Sequence, residues 1–177
     1  MRTDGELPIS LRSVGRRSGP MADWSTAIAN EFIKANGGPM PQMKTQKLVF
    51  IANGWNLAIA NEPLVRDVAE AWDNGPVYRR IWDRIRDHGV YSDGRIVGSR
   101  GRPIIATELT DEEKAVIAHV WNKYGHCSAS HLSALTHQAG TPWTRAYWTR
   151  GRNATIENAD VREHYRSLAL AGRAARA

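Results

Sequence analysis

The chain has 177 residues, 42% hydrophobic and 24% charged, with a net charge of +6, which describes one ordinary globular domain rather than a disordered chain. No apolar run is long enough to span a membrane and residues 1–20 lack the apolar stretch of a secretory signal, while a lone cysteine, Cys127, excludes an internal disulfide and points to the cytoplasm. The basic excess sits at the ends, +2 over residues 1–20 and +3 over 162–177, leaving +1 on 21–161, whereas a DNA reader concentrates Lys and Arg on its folded face.

Met21 reads as an internal start, which makes 1–20 a flexible leader, 21–170 the folded domain and 171–177 a frayed tail. A first helix is predicted over 25–36, with Ile28, Phe32 and Ala35 on one face and Gly37-Gly38-Pro39 ending it. A second, over 41–60, carries the stripe Leu48, Ile51, Ala52, Trp55 and Ile59. Gly54 inside it predicts the close approach of a neighbour. Residues 64–65 and 68–72 read as short paired strands. Asp73-Asn74-Gly75-Pro76 then reads as the capped entrance of a third helix, with Val77, Tyr78, Ile81, Trp82 and Ile85 on one side and Gly89 as terminator.

Residues 95–97 and 103–106, separated by Gly101, read as a β-hairpin. Thr110-Asp-Glu-Glu113 is a capping box that opens a fourth helix bearing Val116, Ile117, Val120, Trp121 and Tyr124. A fifth helix is expected over 128–138, a sixth from Thr141-Pro142-Trp143, and a last over 158–170 through Val161, Tyr165 and Leu168. The fold class is mainly α (α+β): a single helical domain with a small antiparallel β element.

Chemistry-bearing clusters are sparse. Cys127 and His131 lie one helical turn apart without an orienting third group, and His131 and His137 diverge around a helix, so neither a nucleophile nor a metal site is assigned. Gly98-Ser-Arg-Gly101 lacks the lysine of a phosphate-binding loop, and Glu112 and Glu113 belong to a capping turn. No cofactor is expected. Helices four and five imitate a helix-turn-helix, but the second of them carries neither Arg nor Lys. Of seven tryptophans, Trp55, Trp82 and Trp121 fall on apolar stripes; Trp24, Trp72, Trp143 and Trp148 sit at element edges, where an indole seals the core or meets a partner.

Gln46-Lys-Leu-Val-Phe-Ile-Ala-Asn-Gly-Trp55, Glu62-Pro-Leu64, Glu70-Ala-Trp-Asp-Asn-Gly-Pro-Val77, Trp82 and His88-Gly89 occur in that order. Tyr124-Gly, Ser128-Ala, Leu132-Ser, Leu135-Thr-His-Gln and Gly140-Thr-Pro-Trp143 follow. The set resembles the Panacea domain of the SocA-like antitoxin family over roughly 28–148, with Asn53 and Asn56 as unusual choices and the side chains near Asn53 expected to bear on partner preference. The resemblance implies a non-enzymatic antitoxin that binds a cognate toxin protein directly, by occlusion or as an adaptor to an ATP-dependent protease. Trp72, Asn74, Tyr78, Arg79, Arg100 and Arg102 are the candidate contacts; at each, capping, packing or solvation is the plainer reading. A nucleic-acid-binding regulator, using the basic tails and the helix-turn-helix-like segment together with Arg95, Arg100 and Arg102, is the alternative.

Overall fold

A computed structural model describes residues 23–98, 101, 104 and 109–176. Among them are seven helices and a three-stranded antiparallel sheet. The helices are α1 (Trp24–Asn36), α2 (Gln42–Ala60), α3 (Arg79–His88), α4 (Asp111–Tyr124), α5 (Ala129–Thr136), α6 (Pro142–Arg150) and α7 (Asn158–Ala174). The strands are β1 (Ala69–Trp72), β2 (Gly75–Val77) and β3 (Ala154–Ile156), in the order β2-β1-β3. The mainly helical fold with a small antiparallel element is therefore as expected.

Helix α2 is the axis of the molecule. It packs against α1, α4, α5, α7 and β2, and residues 45–57 are buried without a break. A helix covered on every side cannot be read as a single apolar stripe. Ile59, placed on that stripe from its spacing, projects past the packed part and is 69% exposed. Gly54 does what its position predicted: an added Cβ would stand 2.2 Å from the Tyr165 ring, so α7 crosses there in direct contact with the backbone of α2.

Local signals placed most helix ends correctly. The Thr110 capping box forms, with Glu113 N–H donating to Thr110 Oγ1 at 3.2 Å and Thr110 N–H to Glu113 Oε2 at 2.8 Å. Ser128 and Thr141 accept from the first-turn amides of α5 and α6, and Gly89 closes α3. Helix α7 continues to Ala174, past the predicted end at 170.

Two readings need correction. Residues 64–65 form no strand; Asn53 Oδ1 accepts from both their amides, at 2.9 and 3.2 Å. Gly75-Pro76-Val77 is not a helix entrance but β2, in register with β1 as Trp72↔Gly75, Ala71↔Pro76 and Glu70↔Val77. Helix α3 starts afterwards, at Arg79, with no side-chain cap. Residues 90 and 96 form an isolated antiparallel bridge. The predicted partner strand at 103–106 lies mostly outside the described residues, as do 1–20, Arg100 and Arg102.

Candidate functional site

The β1–β2 hairpin is the part of the fold on which the motifs converge. β2 is an edge strand, and an edge leaves backbone groups in need of partners. Proline is tolerated there because its missing N–H faces away from the ladder. Helix α2 supplies what the absent neighbouring strand would. Gln46 Oε1 accepts from Tyr78 N–H at 2.8 Å, Gln46 Nε2 donates to Tyr78 O at 3.1 Å, and Lys47 Nζ donates to Pro76 O at 3.1 Å. Gln46 and Lys47 are only 2% and 1% exposed. Gly75 makes room for this arrangement: at φ +107°, an added Cβ would lie 2.6 Å from Lys47 Cε and 2.8 Å from Thr136 Oγ1.

Helices α5 and α6 grip the hairpin tip from the other side. Ser133 Oγ donates to Asn74 O at 2.9 Å, and His137 Nε2 lies 3.1 Å from Asp73 O. Trp143 Nε1 donates to Trp72 O at 2.8 Å, and Tyr147 OH to Asp73 Oδ1 at 2.8 Å. Arg152 pairs with Asp73 Oδ2. Hydrogen bonding to Asp73 also pushes the Tyr147 phenol above its ordinary pKa. The rings of His137, Trp143 and Tyr147 lie in succession, with centroids 3.8 and 4.7 Å apart. The Ala-Trp-x-x-Gly-Pro-Val run and the Thr-His…Pro-Trp pair, some sixty residues apart in sequence, are thus two sides of one clamp.

The predicted contacts separate accordingly. Asn74 is exposed at the tip and caps no helix. Trp72 is half-buried, and Arg79, whose side chain is 49% exposed, lies over its ring at 5.3 Å. Burial alone would raise the Glu70 pKa; the Arg79 guanidinium and the Trp72 N–H bonded to it hold it below the usual value. Tyr78 must be withdrawn as a contact, because its side chain is wholly buried beneath the hairpin. Asn53 is likewise buried, being 1% exposed and committed to the backbone at 64–65.

Among the edge tryptophans, Trp24 and Trp143 seal the core at 7% and 4% exposure, whereas Trp148 is 75% exposed. Its ring meets Tyr147 edge-on at 5.3 Å, which joins it to the hairpin tip through Asp73. The predictions missed Lys47, Asp73, Tyr147 and Arg152 as parts of the site. A lysine followed by Leu48-Val49-Phe50-Ile51-Ala52 was the available signal, since an ammonium on so apolar a helix needs a reason.

Other clusters have simpler surroundings. Cys127 Sγ approaches His126 Nε2 at 3.8 Å rather than His131. Helix α5 commits Leu132, Ser133 and Thr136 to the core and hairpin. Arg95 pairs with Asp93 at 2.7 Å. No helix among the described residues is long and apolar enough to cross a membrane.

A family model described as antitoxin SocA-like, Panacea domain, matches residues 45–144, from the first turn of α2 to the first turn of α6. The antitoxin SocA of Caulobacter vibrioides (strain NA1000 / CB15N) is 32% identical over 110 residues, covering 59% of this chain and 58% of that protein. The match therefore spans little more than half the length of that curated relative. No solved structure matches the chain. With both signature motifs inside the matched region and facing each other across the hairpin, the chain belongs to the SocA-like, Panacea-domain antitoxin family.

Proposed function

We propose that the chain neutralises a cognate toxin by direct protein–protein binding, through the face formed by Trp148, Asn74, Trp72 and Arg79. The observation that carries this reading is the Trp148 indole, 75% exposed beside a hairpin tip fixed by five side chains. Exposed Trp and Arg on a rigid support are the usual anchors of binding energy, and rigidity lowers the ordering cost of association. A specific interface of roughly 1,600 Å² would extend well beyond these four side chains. Family membership supplies the partner class.

The test is co-expression with the product of the adjacent gene. That product should arrest growth alone and be harmless with this chain, and Trp148→Ala should lose protection while keeping the wild-type Tm. A neighbour harmless by itself, or equally harmful in both cases, overturns the reading. Neutralisation proceeds by covering the toxin or by presenting it to an ATP-dependent protease. A pulse-chase of the toxin separates these, because only the second shortens its lifetime.

A further inference from the structure

Beneath the hairpin tip, between the start of α2 and the ring of Trp82, lies a cavity of about 360 Å³. Its size is at the small end for a ligand pocket, enough for one ring bearing a polar group. Lys47 lines it, and among the described residues only one of the three ammonium N–H groups has a partner, Pro76 O. Gln42 also lines it, and its buried amide nitrogen has none.

The local carboxylates are taken by other groups. Asp73, on the rim, is held by Tyr147 and Arg152, and Glu70 by Arg79 and the Trp72 N–H. Among the described residues no ion pair includes Lys47. Burial draws its pKa down to about 8, so at neutral pH most molecules hold a buried ammonium without a counter-ion, a costly arrangement in any fold. Cationic groups also lie over the two indoles of its walls: Arg79 over Trp72 at 5.3 Å and Arg86 over Trp82 at 4.7 Å.

The buried donors left over among the described lining are an ammonium and an amide N–H, and the cavity walls include two indoles whose centroids are 5.6 Å apart. We propose that this cavity binds a carboxylate carried on a flat apolar body, the acid facing Lys47 and Gln42 and the body lying against Trp72 and Trp82. One ammonium matches the single charge of a carboxylate. A phosphate would call for a bidentate guanidinium or several cations at the same point, and the guanidinium on the lining, Arg152, is paired with Asp73. The site is defined on the chain alone and stands or falls apart from the toxin reading. The carboxylate comes either from a free small acid or from a side chain or terminus of the bound toxin.

The experiment is an NMR titration of the full chain with sodium benzoate, with benzyl alcohol as the uncharged control, following the Lys47 ε-methylene and the Trp72 and Trp82 indole N–H. Benzoate should give a saturable shift in the millimolar range, with benzyl alcohol and the Lys47→Met variant each about tenfold or more weaker. Equal response to acid and alcohol, or an unmoved Lys47 resonance in the wild type, overturns the proposal even where Lys47→Met fails to fold. Addition of the toxin then assigns the source. Displacement of bound benzoate identifies a toxin carboxylate, and simultaneous occupancy identifies a free small acid.

Discussion

The two halves of α2 both bury polar side chains, but they use them differently. In the C-terminal half, Asn53 holds the amides of Leu64 and Val65 and Asn56 donates to Glu62 O at 2.8 Å. These amides fasten a loop that has no ladder of its own. In the N-terminal half, Gln46 does the same for Tyr78 at the end of β2, but Lys47 and Gln42 keep donors without a partner among the described residues. A buried polar group satisfied from within is part of the scaffold. One left open toward a cavity is available to a ligand.

Breaking the closed half should give the largest effect. Asn53→Leu leaves the amides of two buried residues, 3% and 0% exposed, without an acceptor. Each stranded amide costs on the order of 1–3 kcal/mol, so a loss of about 4 kcal/mol is expected in urea unfolding. A loss under about 1 kcal/mol would mean that the loop at 61–68 finds other partners.

The open half should respond with the opposite sign. Burial places the Lys47 pKa at about 8 in the folded chain against 10.5 in its absence. Between those values the unfolded chain binds more protons, so the Lys47 contribution to stability rises with pH across that window. Below pH 8 both states are protonated and the penalty is constant. The Tyr78 and Tyr165 phenols, pushed up by burial, work in the reverse direction but do so equally in a Lys47→Met variant. The difference between wild type and Lys47→Met should therefore move in favour of the wild type by as much as about 3 kcal/mol from pH 8 to 10.5. At pH 7 the variant should be no less stable than the wild type, as when a buried charge is exchanged for a hydrophobe. A flat difference across the window would remove Lys47 from the buried amines.

These contrasts also explain what could be read in advance. Helix ends at Thr110, Ser128, Thr141 and Gly89 were legible because a cap is a matter of three or four neighbouring residues. The hairpin was not, since Asp-Asn-Gly-Pro serves equally well as a helix entrance or a tight turn. Its pairing with β3 joins residues 69–71 to 154–156, which no local pattern reports. Part of the candidate site was visible as residue types, in Trp72, Asn74 and Arg79. Its depth was not: a lysine within an apolar helix does not announce whether it reaches solvent, and Tyr78 on a helical stripe does not announce full burial.

The smallest of the three effects concerns the contact that Gly54 predicted correctly. Gly54→Ala puts a methyl group 2.2–2.7 Å from three ring atoms of Tyr165, itself 6% exposed and enclosed by Trp55 at 5.3 Å. Helix propensity alone would favour alanine by about 1 kcal/mol. Overpacking a buried ring costs about 1–3 kcal/mol, or more where the ring cannot move. The net loss should be about 2 kcal/mol, because α7 must lift off the backbone of α2. Tyr165→Leu isolates the cause. In that background the ring is gone and Gly54→Ala should become neutral or stabilising, a coupling measurable by a double-mutant cycle. If alanine is as harmful beside leucine as beside tyrosine, the glycine serves the helix itself and not the crossing of α7.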